Sequence, residues 1–308
     1  MGRTDDRREV SPTSRTLELM QLWTKINPWF EANGRDLPWR EPGFSAWGTL
    51  VSEFMLQQTQ VSRVIPKLED FLNKWPTPID LAESPASDAV RAWDRLGYPR
   101  RALWLHRAAT TIAEQHNGVV PRDVDALLAL TGVGDYTARA VAVFAYGDRH
   151  PVVDTNTRRV IARAVHGRGE AAPPQATTDL ADMEALMPAE DGAAAVFNAG
   201  MMELGAIVCT AKKPLCDECP LATVCAWRAS GYPAYEGKKR ATQKRFEGSD
   251  RQVRGLIMAA ARAADTGVTD TEIVALWADA EQRDRALASL IRDGLLVPQR
   301  SARYVLAS

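Results

Sequence analysis

The sequence predicts an all-α fold. Two observations carry that prediction: apolar residues recur at helical spacing through most of the first 230 positions, and period-two alternation is confined to short pieces near the far end. A third is punctuation, since prolines at 76, 78, 85, 99 and 121 divide the chain into short helical lengths. There is neither an internal repeat nor a coiled-coil heptad. A chain of 308 residues has room for two domains, and 45% hydrophobic content fills two cores, which excludes collagen-like, mucin-like and disordered chains. Lys plus Arg total 38 against 39 Asp plus Glu, a net charge of -1, so a uniformly basic coat is excluded and any nucleic-acid contact must be local. The charged opening Met1 to Glu9, and the lack of any run approaching about 18 uncharged apolar residues, predict a soluble cytoplasmic protein without an export signal.

In chain order, residues 1–30 read as an N-terminal arm and first helix. Leu50, Val51, Phe54 and Met55, then Val61, Val64, Ile65 and Leu68, mark two consecutive apolar-faced helices. Thr77, Ser87, Thr131 and Thr155 are of the type that starts helices. Ala126 to Leu130 and Ala138 to Phe144 read as helices on either side of a turn, Leu130 to Ala138 (LTGVGDYTA), a helix-hairpin-helix pattern. Gly132 and Gly134 allow that turn conformations closed to other residues, and the backbone N–H groups opening the second helix can cradle a phosphate. An ordinary tight turn is the plainer alternative. Thr155 to Ala164 reads as a further helix, and Gly167 to Pro174 (GRGEAAPP) as a loop.

These signals place a main region at 31–230, with a hairpin-containing part at about 50–165 and a second part made of 31–49 and 166–230. Residues 231–249 read as a basic linker. Beyond it, helices over Val253 to Ala264, Asp270 to Ala278 and Glu281 to Arg292, a stop at Gly294 and a hairpin over Leu295 to Leu306 make 250–308 a winged-helix-like module.

All four cysteines fall within seventeen residues, Cys209, Cys216, Cys219 and Cys225. A reducing compartment and such tight clustering disfavour two disulfides, so a metal centre is the better account. Zinc sites usually come as paired short hairpins. The graded spacing here winds one loop around a larger object, which favours a [4Fe-4S] cluster over the alternative of structural zinc. Between the first two ligands, Lys212 and Lys213 sit on a loop pinned at both ends and are placed to meet phosphate. His106, His116, His150 and His166 share no ligand spacing.

The hairpin, then Asp154, then the four-cysteine loop, in that order, resemble the helix-hairpin-helix DNA glycosylases that carry an iron-sulfur cluster, the superfamily of endonuclease III. Leu37 to Arg40 (LPWR), Val51 to Val61 (VSEFMLQQTQV), Leu96-Gly97-Tyr98 and Val153 to Asn156 (VDTN) narrow the resemblance to the MutY-type adenine glycosylases, from about Leu37 to Ala226. The resemblance implies base-excision repair: a monomer acts on double-stranded DNA and hydrolyses the N-glycosidic bond of adenine mispaired with 8-oxoguanine or guanine. Breaking that bond needs an acid at the departing base and an anion beside the sugar as it becomes oxocarbenium-like. Glu53, in an uncharged setting (LVSEFML), is the candidate acid because desolvation would hold it protonated. Asp154, opening a helix, is the candidate anion, kept ionised by the helix dipole and nearby N–H groups. A solvated helix-face charge and an ordinary N-cap are the plain alternatives.

The resemblance further implies that Glu53 protonates adenine N7, that Asp154 stabilises or captures the anomeric carbon, and that Asn156 holds Asp154. It implies that Trp39 and Arg40 line the adenine pocket and that Gln58 and Tyr98 wedge into the duplex, where flipping a stacked base costs a few kcal/mol. Tyr136 stands where endonuclease III carries the lysine that attacks the sugar, so a monofunctional enzyme leaving an abasic site is expected.

The chain also departs from the family pattern. Trp47 is displaced, Leu50 stands where tryptophan is usual, Ala199 replaces Glu or Gln, and Thr155 replaces glycine after Asp154. After residue 239 many relatives continue into a NUDIX-like domain that reads 8-oxoguanine. The tail here is a small helical module, expected, with Lys238 to Arg245 (KKRATQKR), to add general DNA affinity. Two other readings stay open. One is a glycosylase for another mispaired base, such as thymine opposite guanine. The other is a non-enzymatic iron-sulfur DNA-binding regulator.

Overall fold

The computed structural model describes residues 21–238 and 245–308. The N-terminal residues 1–20 and most of the basic run Lys238 to Arg245, namely 239–244, lie outside the described residues. The chain forms two compact units, one made of Met1–Arg35 with Gly147–Arg240, the other of Asp36–Tyr146 with Ala241–Ser308. The divisions thus fall at 35/36 and 146/147, whereas the sequence pattern placed them near 49/50 and 165/166.

In the second unit the middle is helix α2, which follows α1 (Trp23–Asn33) of the other unit. Helix α2 spans Ala46–Leu56, is opened by Ser45, whose side chain accepts the Gly48 N–H, and is buried at every position from Trp47 to Met55. A helix hidden on all sides belongs inside a bundle. Around it are α3 (Val61–Lys74), α4 (Pro78–Ala82), α5 (Ala86–Trp93), α6 (Arg100–Gln115), α7 (Val124–Leu128) and α8 (Asp135–Tyr146). Phe54, Phe71, Trp93 and Leu105 are fully buried among them, and the displaced Trp47 is a core residue whose indole N–H donates to the Trp75 carbonyl at 2.9 Å.

Of the expected helix starts, Thr77 caps α4 in a reciprocal box with Asp80. The other three are corrected by one position or more. Pro85 precedes α5, so Ser87 is already helical; Thr131 lies in the hairpin turn, which the glycines prolong until Asp135; Thr155 is the first residue of α9 (Thr155–Ala164), because Asp154 reaches the Thr157 N–H first.

The C-terminal segment runs α13 (Asp250–Ala263), β1 (Val268–Thr269), α14 (Asp270–Leu276), α15 (Ala280–Arg292), β2 (Leu296–Gln299) and β3 (Arg303–Leu306), with antiparallel strands in the order β1-β3-β2. That order of elements is a winged helix. Its buried residues Val253, Ile257, Ala286, Leu290 and Leu296 belong to the same apolar cluster as Phe54 and Trp93. Arg91 on α5 donates to the carbonyls of Arg262 and Ala264, and Arg100 lies 3.5 Å from Asp293.

The first unit gathers α1, α9, α10 (Ala176–Glu184) and α11 (Asp191–Glu203) around Ile26, Met183, Phe197, Met201 and Leu204. Arg35 and the buried Glu203 form a bidentate pair at 2.6 and 2.9 Å. Helix α11 runs into a π-helical turn, Leu204–Val208, which delivers the chain to Cys209, and α12 (Ala226–Ala229) follows Cys225. Among the described residues, no helix is long and apolar enough to cross a membrane.

Candidate active site

Asp154 caps α9. One carboxylate oxygen accepts the Thr157 N–H at 2.7 Å and the other the Asn156 side-chain amide at 2.8 Å. Hydrogen bonding alone would hold its pKa low, as the sequence suggests. Burial outweighs it, and the pKa is raised from 3.8 by desolvation, with Thr157 and Asn156 pulling the other way. The expected direction is therefore corrected, because the amides stabilise less charge than the lost water did.

Asn156 also accepts from Arg159 at 2.7 Å, and Arg159 donates onward to the carbonyls of Gly205 and Cys209, each at 2.7 Å. A continuous set of hydrogen bonds thus runs from Asp154 to the first cysteine of the loop. Gly205 makes the approach possible, since a Cβ there would come within 2.6 Å of the Asn156 Cβ.

Glu53 lies on α2, only 7% exposed, so the solvated-charge alternative does not hold. The loop after α2 carries Gln58 and the one before α6 carries Tyr98, both exposed and both non-glycine residues at positive φ (56° and 46°). Exposure removes core packing as the explanation of Tyr98. Trp39 and Arg40, on the 3₁₀ turn Pro38–Arg40, are half-buried, with Trp39 against the core; Tyr136 and Ala199 are half-buried too.

In the hairpin Gly132 sits at φ 83°, and a Cβ would meet Trp104 at 2.7 Å. Gly134, whose carbonyl accepts the first α8 bond from Ala138, has open space around it, room for an approaching group at the start of the helix.

The four cysteines line one pocket with Arg163, Pro214 and Arg228. Among the described residues, no three His, Cys, Asp or Glu side chains converge on a single ion. Arg163 donates to the Cys209 sulfur at 3.4 Å and to the Thr210 and Ala211 carbonyls. Burial pushes the Cys209 thiol up and Cys219 to about 12. Four soft sulfurs around one pocket, with cationic donors behind them, fit an iron-sulfur cube. Lys212 and Lys213 are exposed on this loop. Sequence pattern gave no sign of Arg159, Arg163 or Arg101: nothing in the spacing of an arginine tells which carbonyls will converge on it.

Residues 51–183 match the HhH-GPD superfamily of base excision DNA repair proteins, and 209–225 match the iron-sulfur binding domain of endonuclease III. The chain is 52% identical over 284 residues to the adenine DNA glycosylase of Mycobacterium tuberculosis, covering 92% of each chain. It belongs to the adenine DNA glycosylase family. The corresponding glycosylase of Mycolicibacterium smegmatis is 51% identical over 280 residues, 91% of this chain and 94% of that one. The matched length exceeds what the residues ahead of the winged module could supply, so in these glycosylases the similarity extends into that module. Among solved structures, a thermostable thymine-DNA glycosylase superposes with a TM-score of 0.63 at 27% identity, over 70% of this chain and all of that one. As an iron-sulfur adenine DNA glycosylase, the chain is an enzyme, which removes the regulator reading.

Proposed function

We propose that the chain hydrolyses the N-glycosidic bond of adenine mispaired with 8-oxoguanine or guanine in duplex DNA, acting as a monomer on the DNA of the nucleoid and leaving an abasic site. The reading is supported by the surroundings of two carboxyl groups, each taken by itself: Glu53 is buried on an apolar helix, and Asp154 is held by two amide donors. A carboxyl withdrawn from water favours its protonated form. Glu53 donates its proton to adenine N7 and the C1′–N9 bond breaks, the electron pair leaving with the base. The cationic sugar is met by the Asp154 carboxylate, oriented by Asn156, and water completes the hydrolysis.

Trp39 and Arg40 receive the flipped base, while Gln58 and Tyr98 fill the space it leaves. Gly132 and Gly134 offer backbone N–H groups, and Lys212 and Lys213 ammonium groups, to phosphate. The [4Fe-4S] cluster, when bound by Cys209, Cys216, Cys219 and Cys225, supplies the iron–sulfur bonds that close the lysine-bearing loop. Tyr136 lacks the amine needed for a Schiff base, so no strand cleavage follows.

The test is a labelled-duplex assay across A:8-oxoguanine, A:G and T:G mispairs, with and without alkali. Alkali-dependent cleavage at adenine, and no borohydride-trapped adduct, is the expected result. The likeness to a thymine-DNA glycosylase structure makes thymine the second reading, and cleavage at thymine alone would replace adenine with it.

A further inference from the structure

Beneath the loops that carry Gln58 and Tyr98 lies Arg101, in the first turn of α6 and 4% exposed. Its Nη1 donates to the carbonyls of Phe54 (2.5 Å) and Met55 (3.1 Å) in the last turn of α2. Its Nη2 donates to the Thr59 hydroxyl (3.0 Å) and to the carbonyls of Leu96 (3.4 Å) and Gly97 (2.9 Å). Thr59 in turn donates to the Leu96 carbonyl at 3.0 Å, so the two loops are also joined directly. The guanidinium lies 5.2 Å from the Trp93 ring and 5.7 Å from the Tyr98 ring.

This is a costly residue to keep in a core. All five acceptors are neutral, burial lowers its pKa to about 10, and its Nε has no hydrogen-bond partner. What only a planar fork supplies is a simultaneous grip on one helix end and two loops. Both loops need such a grip, because Gln58 and Tyr98 occupy the left-handed region without being glycine, a conformation that persists only where its surroundings enforce it.

We propose that Arg101 is a positioning residue that fastens the Gln57–Gln60 and Leu96–Tyr98 loops into one rigid wedge, so that Gln58 and Tyr98 enter the duplex together. The proposal rests on reading those two side chains as wedging residues. With the fork removed, the wedge must be ordered when DNA binds, and that ordering is charged against base extrusion. Glu53, anchored in the body of α2, stays where it is. The loss is therefore largest for a base that must be pulled from a stacked pair, and small for one that lacks a partner.

Single-turnover excision by wild type, Arg101→Lys and Thr59→Val tests this on two duplexes, adenine opposite 8-oxoguanine and adenine opposite a tetrahydrofuran abasic analogue. Arg101→Lys should lose about 100-fold on the first and about fivefold or less on the second, with a matching loss of 2-aminopurine fluorescence at the target position. Thr59→Val, a change in a half-buried loop, should show the same asymmetry at about fivefold, and carries the test should Arg101→Lys not fold. Equal losses on both duplexes, or wild-type rates on the paired one, would overturn the proposal alone. Wild-type inactivity on both would overturn the glycosylase reading, and the proposal with it.

Discussion

In the proposed mechanism Asp154 is both a carboxylate of the reaction and the cap of a helix, and the two descriptions do not compete. As an N-cap it gains the Thr157 N–H, and as the anion of the proposed mechanism it would carry charge where water is scarce. Since its folded pKa is raised above 3.8, the native state holds its proton more tightly than the unfolded chain does. Stability from this group is thus lost as pH rises from 3.8 through the folded value, and above that window the ionised group is a standing cost. Two consequences are expected for Asp154→Asn, which keeps the cap. Its melting temperature above the window should match or exceed wild type, and the difference should vanish below pH 3.8. The acid limb of the wild-type excision profile should likewise lie above 3.8. A variant less stable at neutral pH than at acid pH, relative to wild type, would reverse the sign. The N-cap was legible in the sequence; the raised pKa was not, because it depends on what surrounds the carboxyl.

Among the elements, the span of α9 was legible, while the residue that caps it is Asp154 and not Thr155. Helix α7 was misplaced by two residues, starting at Val124 because Asp123 accepts the Ala126 N–H. Strand β1, two residues long, is too short to alternate and had no signature. Gly132 was legible as a turn glycine, but Trp104 pressing on it was not. The winged helix was legible in outline, and its part in the molecule needs the structure. Residues 250–308 hold eight arginines, no lysine and eight acidic residues, and Arg254 and Arg285 pair with Asp293 and Asp250. A neutral surface gives little counterion release, whereas the shared apolar cluster and the Arg91 bonds tie the module to the neighbouring helices. Deleting 246–308 should therefore lower the melting temperature by about 5 °C or more while leaving the salt dependence of DNA binding unchanged. An unaltered melting temperature with a shallower salt slope would instead assign the module to DNA.

For the molecule as a whole, a net charge of -1 confines contact with DNA to local patches, and the proposed chemistry asks opposite tasks of two carboxyl groups. Glu53 lies in the unit that includes 36–146, and Asp154 in the unit that includes 147–240. Out of 39 acidic residues, periodicity alone singles out neither, and the family resemblance was needed to choose them. What the structure adds is that both groups are buried, and that Asp154 is held by two amide donors. The most direct test compares single-turnover excision of adenine opposite 8-oxoguanine by wild type, Glu53→Gln and Asp154→Asn, with duplex binding measured in the same mixtures. Both variants should bind the mispaired duplex about as tightly as wild type and excise adenine at least about 1,000-fold more slowly. Either variant working at the wild-type rate would contradict the division between proton donor and anion.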